Sequence, residues 1–190
     1  MEQHIGLIIL IIVIVLPIIW VIVTYNNLVK IRLLCSNAWA QIDTELKRRY
    51  ELIPNLVEVV RGYAGYERNV LQTVTEARAK AVASTGSPAS QAADENNLIF
   101  SLRNLLGVVE NYPDLKASQQ FLKLQSELIN TEDRIQAARR FYNGNIRDLN
   151  TMIQSFPSNI IANIFGFTPQ EFFEIEDTVQ RTVPTVSFNK

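Results

Sequence analysis

Apolar residues first crowd together along this chain and then space out, and the two patterns predict two kinds of helix. From Ile5 to Val23 the sequence reads IGLIILIIVIVLPIIWVIV, without a charge and with only Gly6 and Pro17 outside the large apolar set. A bilayer core needs about 20 apolar residues for one helical crossing, so residues 5–23 are expected to span a membrane. Further on, apolar positions recur at three- and four-residue intervals as Leu28, Ile31, Cys35, Ala38, Trp39, Ile42 and Leu46. That spacing is the stripe of an amphipathic helix facing a protein core. No loop signal separates the two regions, so one helix is predicted to run out of the bilayer.

The stripe resumes after Pro54 at Leu56, Val57, Val60, Tyr63, Ala64, Val70, Leu71, Val74 and Ala77. A proline within a helical pattern ends or kinks the helix, and the continuing phase favours a kink. Residues 26–83 are therefore expected to form one long kinked helix. The Gly, Pro and Ser cluster beginning at Ser84 marks a linker over 84–93. Asp94 is a candidate cap for a helix over 94–111 carrying Leu98, Leu102, Leu105, Leu106 and Val109, which Asn111-Tyr-Pro113 should stop. A further long helix is predicted over 114–156, with a stripe that includes Leu115, Phe121, Leu122, Leu128, Ile129, Ile135, Tyr142, Ile146, Leu149, Ile153 and Phe156. Long helices with short connections pack antiparallel. The expected fold is all-α: a transmembrane helix continuing into an elongated antiparallel bundle of three or four helices, with short C-terminal helices and an extended tail over 157–190. As domains, this is an anchor over 1–25 and a helical bundle over 26–190.

The C-terminal region has its own signals. Ser158 or Asn159 could cap a short helix that closes at Gly166. Thr168-Pro-Gln-Glu171 resembles a capping box opening a second short helix through Phe172, Phe173 and Ile175, and Val183-Pro-Thr-Val-Ser-Phe188 reads as extended. Seven large apolar residues between Ile160 and Phe173 make a dense patch, expected to cap one end of the bundle, with self-association or membrane contact as the alternatives. Polar residues also fall in the seams: Arg49 shares the phase of Leu28, Cys35 and Ile42, while Gln125, Glu132 and Arg139 recur every seven residues. Charges in a seam lose hydration and need partners. Glu132 and Arg139 are expected to meet opposite charges on the first hairpin, with Asp43, Arg48, Arg49 and Glu51 as candidates.

Charge narrows the possible partners. All 18 Lys and Arg lie beyond residue 25, and only Glu2 of the 19 acidic residues precedes it, so residues 26–190 are neutral overall. Without a cationic excess, nucleic acid is not an expected partner. Cys35 is the only cysteine and His4 the only histidine, which removes intrachain disulfides, Cys/His zinc sites and histidine-based catalysis from the helical domain. Carboxylate chemistry stays open, with Glu76, Glu132 and Asp133 as its residues. No catalytic, cofactor-binding or metal-binding residue is assigned and no cofactor is expected.

The N terminus lacks the basic region and small-residue cleavage site of a secretory signal, so an uncleaved anchor is the better reading. Trp20 and Tyr25 fit an aromatic belt, and Lys30, Arg32, Lys47, Arg48 and Arg49 follow the span. The positive-inside rule then places the amino terminus outside and the bundle in the cytoplasm.

Several phrases occur in order along the chain: Tyr25-Asn-Asn-Leu-Val-Lys30, Asn37-Ala-Trp-Ala-Gln-Ile-Asp43, Leu46-Lys-Arg-Arg-Tyr50, Ile53-Pro-Asn-Leu-Val57 and Val74-Thr-Glu-Ala-Arg78. Leu128-Ile-Asn-Thr-Glu132, Ala138-Arg139, Tyr142-Asn143 and Phe156-Pro-Ser-Asn-Ile-Ile161 continue them. Behind a short anchor, this order resembles the bacterial LemA family over essentially the whole chain. The resemblance implies a single-pass protein of the inner membrane with an outward amino terminus and a cytoplasmic helical bundle. Members of the family are associated with membrane organisation and with neighbouring membrane proteases, and no catalytic motif carries over. The favoured function is a membrane-anchored scaffold or self-assembling protein that organises or remodels the inner membrane or supports a membrane protease. Its expected partners are the bilayer through residues 5–23, further copies of itself and a membrane protein. The competing function is a carboxylate-dependent hydrolase or a non-catalytic subunit of a membrane enzyme.

Overall fold

Ile and Val have only moderate helix propensity in water, yet in lipid a chain must satisfy its own backbone groups, and a helix does so within one segment. In the computed structural model, which describes residues 2–64 and 67–175, a single helix α1 covers Glu2–Tyr63. Its 62 residues amount to about 93 Å at 1.5 Å per residue. From Ile11 to Val23 its side chains are exposed apart from half-buried Val21, and from Cys35 onward every third or fourth position brings a buried one, Leu28 being buried one heptad earlier. Then come α2 (Arg68–Ala83), α3 (Pro88–Val109), α4 (Pro113–Lys116), α5 (Gln119–Gln154) and α6 (Ser158–Ile164). No strand occurs among the described residues, and the fold is all-α with bundle packing.

The described residues form two compact units, one from α1 up to Leu46 with Glu132–Phe172, the other from Lys47–Thr131 with residues 173–175. In the first unit α5 runs antiparallel to α1. Arg134 lies 3.7 Å from Glu45, and the Tyr142 ring lies 5.3 Å from Trp39. The buried residues are Leu28, Cys35, Ala38, Ile42 and Leu46 on α1 and Ile135, Tyr142, Ile146, Leu149 and Ile153 on α5. In the second unit one core gathers Ile53, Leu56 and Val60 of α1, Leu71 and Val74 of α2, Leu98 and Leu105 of α3, with Leu115, Phe121 and Leu128.

Helix bounds differ from the sequence expectation in four places. The expected single helix over 26–83 is two: α1 ends at Tyr63 and the chain reverses before α2. The Ala64 N–H still donates to Val60 O at 2.8 Å, and the Glu67 N–H donates to Ala64 O at 3.1 Å. Val60, Ala64, Leu71 and Val74 keep one apolar phase across the reversal, so periodicity alone cannot separate a turn from a continuing helix. The linker is also shorter than 84–93. Pro88 occupies the first helical turn with Ser87 as the N-cap, whose side chain accepts from the Ser90 N–H. Proline's fixed φ suits that position, whereas Asp94 lies inside α3 and pairs with Lys80 at 3.0 Å. The helix expected over 114–156 is divided into α4 and α5.

The fourth difference is at the C-terminal end. α6 closes as expected, with Gly166 at φ +69° and the Phe167 N–H donating to Ala162 O at 2.9 Å. Ser158 opens the helix, although its hydroxyl donates to Met152 O at 2.7 Å and Ser155 O at 2.9 Å rather than capping it. The second short helix is absent, since residues 168–175 are not helical. Asn150 bonds both the carbonyl and the N–H of Gln170, at 2.9 and 2.8 Å, and the Tyr142 hydroxyl donates to Glu171 O at 3.0 Å. Backbone groups that a helix would use internally are bonded to α5 side chains instead. The expected extended segment, 183–188, lies outside the described residues.

Proline 54 neither ends α1 nor leaves its backbone bare. A proline supplies no N–H to the carbonyl four residues earlier, which here belongs to Tyr50. Arg78 of α2 replaces the missing donor, its Nε reaching Tyr50 O at 2.7 Å.

Candidate functional site

The polar centre of the second unit is built where α1, α2 and α3 meet. Arg49 is fully buried, as its phase with Leu28, Cys35 and Ile42 predicts, and Glu95 of α3 is buried with it. The Arg49 guanidinium donates to one Glu95 oxygen and the Tyr50 hydroxyl to the other. Arg78 holds the adjacent Tyr50 carbonyl. A buried carboxylate engaged on one oxygen by a buried guanidinium and on the other by a half-buried phenol is suited to fixing helix register. The sequence reading sought the charge partners of this seam on α5 and overlooked Glu95. The signal was present, because Glu95 continues the Leu98, Leu102, Leu105 and Val109 stripe one turn toward the start of α3.

The candidate carboxylates do not assemble comparably. Glu132 is half-buried on α5 and Asp133 is exposed, while Glu76 is exposed on α2 and accepts from Gln72 at 2.7 Å. One open cleft sets Glu76 beside Arg61 and Arg68, and another sets Glu110 beside Arg103 and Lys116. Each cleft therefore sets a single carboxylate between two cations rather than gathering the carboxylate pair that acid–base hydrolysis would use. Among the described residues no group of three or more His, Cys, Asp and Glu could hold a metal ion. Burial, reinforced by Asp148, pushes the Cys35 thiol up and away from thiolate chemistry.

At the other end of the first unit, aromatic rings gather where α1 leaves its apolar run. The Tyr25 ring lies 4.6 Å from that of Phe165 and 6.0 Å from that of Phe167. Arg32 stacks over Phe167 with its guanidinium carbon 4.9 Å from the ring centre. The dense apolar patch recognised in the sequence is split here. Ile161, Ala162 and Phe167 are buried, whereas Ile160, Ile164 and Phe165 are exposed, and Phe173 is buried as part of the second unit.

These features define a class: an all-α protein with one N-terminal helix long and apolar enough to cross a membrane, and helical packing fixed by a buried ion pair. The LemA family profile matches residues 38–188, and the chain belongs to the LemA family. It is similar to protein LemA of Metamycoplasma hominis, with 28% identity over 161 residues covering 84% of this chain and 73% of that protein. It is also similar to magnetosome protein MamQ 2 of Paramagnetospirillum magneticum, at 25% identity over 157 residues, and to magnetosome protein MamQ of Magnetospirillum gryphiswaldense, at 23% over 159 residues. Both matches cover 70% of this chain and 58% of the MamQ protein, so the chain spans little more than half the length of those relatives.

Proposed function

We propose that this protein is a membrane-anchored, non-catalytic scaffold that self-assembles through its helical domain on the cytoplasmic face of the inner membrane. The observation that carries this reading is the exposed apolar surface of α1 from Ile11 to Val23. A helix buried in a soluble core covers such residues with protein, and lipid is the solvent that accommodates them uncovered. Leu122 and Ile129, one heptad apart on α5, are also exposed, contrary to the sequence expectation of a buried stripe. They offer a lateral contact between copies, and confinement in a membrane raises the effective concentration at which weak contacts suffice. The relatives named for the magnetosome accord with a role in building a cellular structure rather than turning over a substrate.

Alkaline carbonate extraction of cells expressing the full chain tests the anchor, and crosslinking in native membranes tests the assembly. The chain should stay in the pellet and crosslink into multimers that Ile129→Asp disperses. Release into the supernatant would refute the anchor, and a strictly monomeric chain at native density would refute the scaffold.

A further inference from the structure

Capping the first unit requires only half of the apolar residues that follow α5. The other half form a stripe. Phe156, Ile160 and Ile164 follow one another at four-residue intervals, and Phe165 extends the stripe toward Tyr25. Phe156 is 81% exposed and Ile164 68% exposed, values that core packing does not explain. Residues at i and i+4 share one helical face, so Ile160 and Ile164 point the same way on α6, while exposed Phe156 lies in the turn just before that helix and exposed Phe165 just after it.

The level of this stripe along α1 follows from the contacts of the first unit. Because α5 is antiparallel to α1, its C-terminal end travels back toward the apolar run. Phe165 then meets Tyr25, two residues beyond Val23 and about 3 Å further along the helix axis. The headgroup layer on each side of a hydrocarbon core is about 5–8 Å deep, so the ring pair falls within it if Val23 marks the core boundary. Charge follows the same division. Residues 3–29 contain no Asp, Glu, Lys or Arg, and neither do residues 149–170. Lys30 and Arg32 on α1 and Arg147 and Asp148 on α5 are the first charges beyond these stretches on the bundle side, and Glu171, which closes the second stretch, has already returned to the level of Tyr142. Two segments that pack together thus lose their charges toward the same end of the unit, where a bilayer would penalise them.

We propose that the stripe of Phe156, Ile160, Ile164 and Phe165 is a second membrane contact, an apolar foot seated in the headgroup region of the same bilayer that α1 crosses. The inference rests on the anchor reading above and adds to it a fixed orientation. A span alone leaves the domain free to tilt and rotate, whereas a foot to one side of α1 sets both. An interfacial element needs apolar side chains facing lipid and polar groups facing water. Here the buried side of the same segment is held by the Ser158 hydroxyl on Met152 O and by the Schellman closure at Gly166.

The test uses the full chain with Cys35→Ala, reconstituted into vesicles of phosphatidylcholine and phosphatidylglycerol. An environment-sensitive nitrobenzoxadiazole label is placed on a single cysteine introduced at Ile164, Phe156, Ile14 or Thr44. Thr44 is exposed on α1 and about 31 Å beyond Val23, so it reports on water. Labels at Ile14, Ile164 and Phe156 should shift to the blue and be quenched several-fold more than the label at Thr44, the Ile164 and Phe156 labels by doxyl groups on shallow lipid positions and the Ile14 label, about 14 Å inside Val23, by doxyl groups deep in the acyl chain. Phe156 makes a second probe site whose exposure removes loss of packing as an explanation. Quenching at Ile14 but not at Ile164 or Phe156 would overturn the foot and leave the anchor standing. No quenching at Ile14 would overturn the anchor, and the foot with it. A blue shift at Ile164 that doxyl lipid does not quench, and that disappears at one chain per vesicle, would assign the stripe to a second copy and overturn the lipid contact.

Discussion

Replacing Arg78 with alanine should expose the cost of placing Pro54 inside α1. The Arg78 Nε donates to the Tyr50 carbonyl at 2.7 Å, the acceptor that an ordinary residue at position 54 would satisfy through its own N–H. A hydrogen bond from a charged donor contributes about 1.5–3 kcal/mol, so Arg78→Ala should destabilise the chain by that amount. At roughly 2–4 °C per kcal/mol for a chain of this size, Tm falls by about 3–12 °C. Pro54→Ala restores the backbone donor, and in that background Arg78→Ala should cost less than about 1 kcal/mol. The two substitutions are thus coupled, and a double-mutant cycle reads the coupling as at least about 0.5 kcal/mol. Thermal melts of all four full-length proteins in the same detergent, followed by helical circular dichroism, supply the cycle. If Arg78→Ala costs the same with and without Pro54, the donor-replacement account is wrong.

Other consequences follow from the buried and bonded groups. Glu95→Gln leaves the fully buried Arg49 without its counter-charge and should cost about 3–5 kcal/mol, while Arg49→Met with Glu95→Leu should be far less destabilised than the two single changes added together; additive melts would refute the pairing. Tyr142 is pushed up to about 12 from its ordinary 10.0, by burial first and then by Cys35 and Glu171. The folded state therefore favours the protonated phenol, and its contribution is complete below pH 10 and lost as pH rises from about 10 to about 12. Tyr142→Phe should flatten that alkaline decline in a pH series of melts, and an unchanged slope would contradict it. Asn150→Ala removes both bonds to Gln170 and should speed amide exchange over residues 168–172 while leaving α6 protected, which hydrogen-exchange mass spectrometry can resolve.

The hydrophobic pattern by itself determined the apolar run at the start of α1, the all-α class and most of the buried positions, because helical period and length are local properties of the chain. It also placed Arg49 in the seam, since a heptad phase does not depend on what lies opposite. What period cannot encode is direction. The reversal between Tyr63 and Arg68 keeps the apolar phase intact, so only the return of α2 onto α1, where Arg78 reaches Tyr50, shows that the chain has turned back. Partner choice is likewise a tertiary matter: Glu95 meets Arg49 across 46 residues, and Arg78 reaches the carbonyl that Pro54 deprives across 28. The capping signal at Thr168 lost to bonds from Asn150 and Tyr142, because side chains already fixed on α5 occupied the backbone groups a new helix would need. The dense C-terminal apolar patch was visible as composition. Its division into a buried cap and an exposed stripe beside Tyr25 was decided only when α5 folded back along α1 and brought that segment to the end of the apolar run.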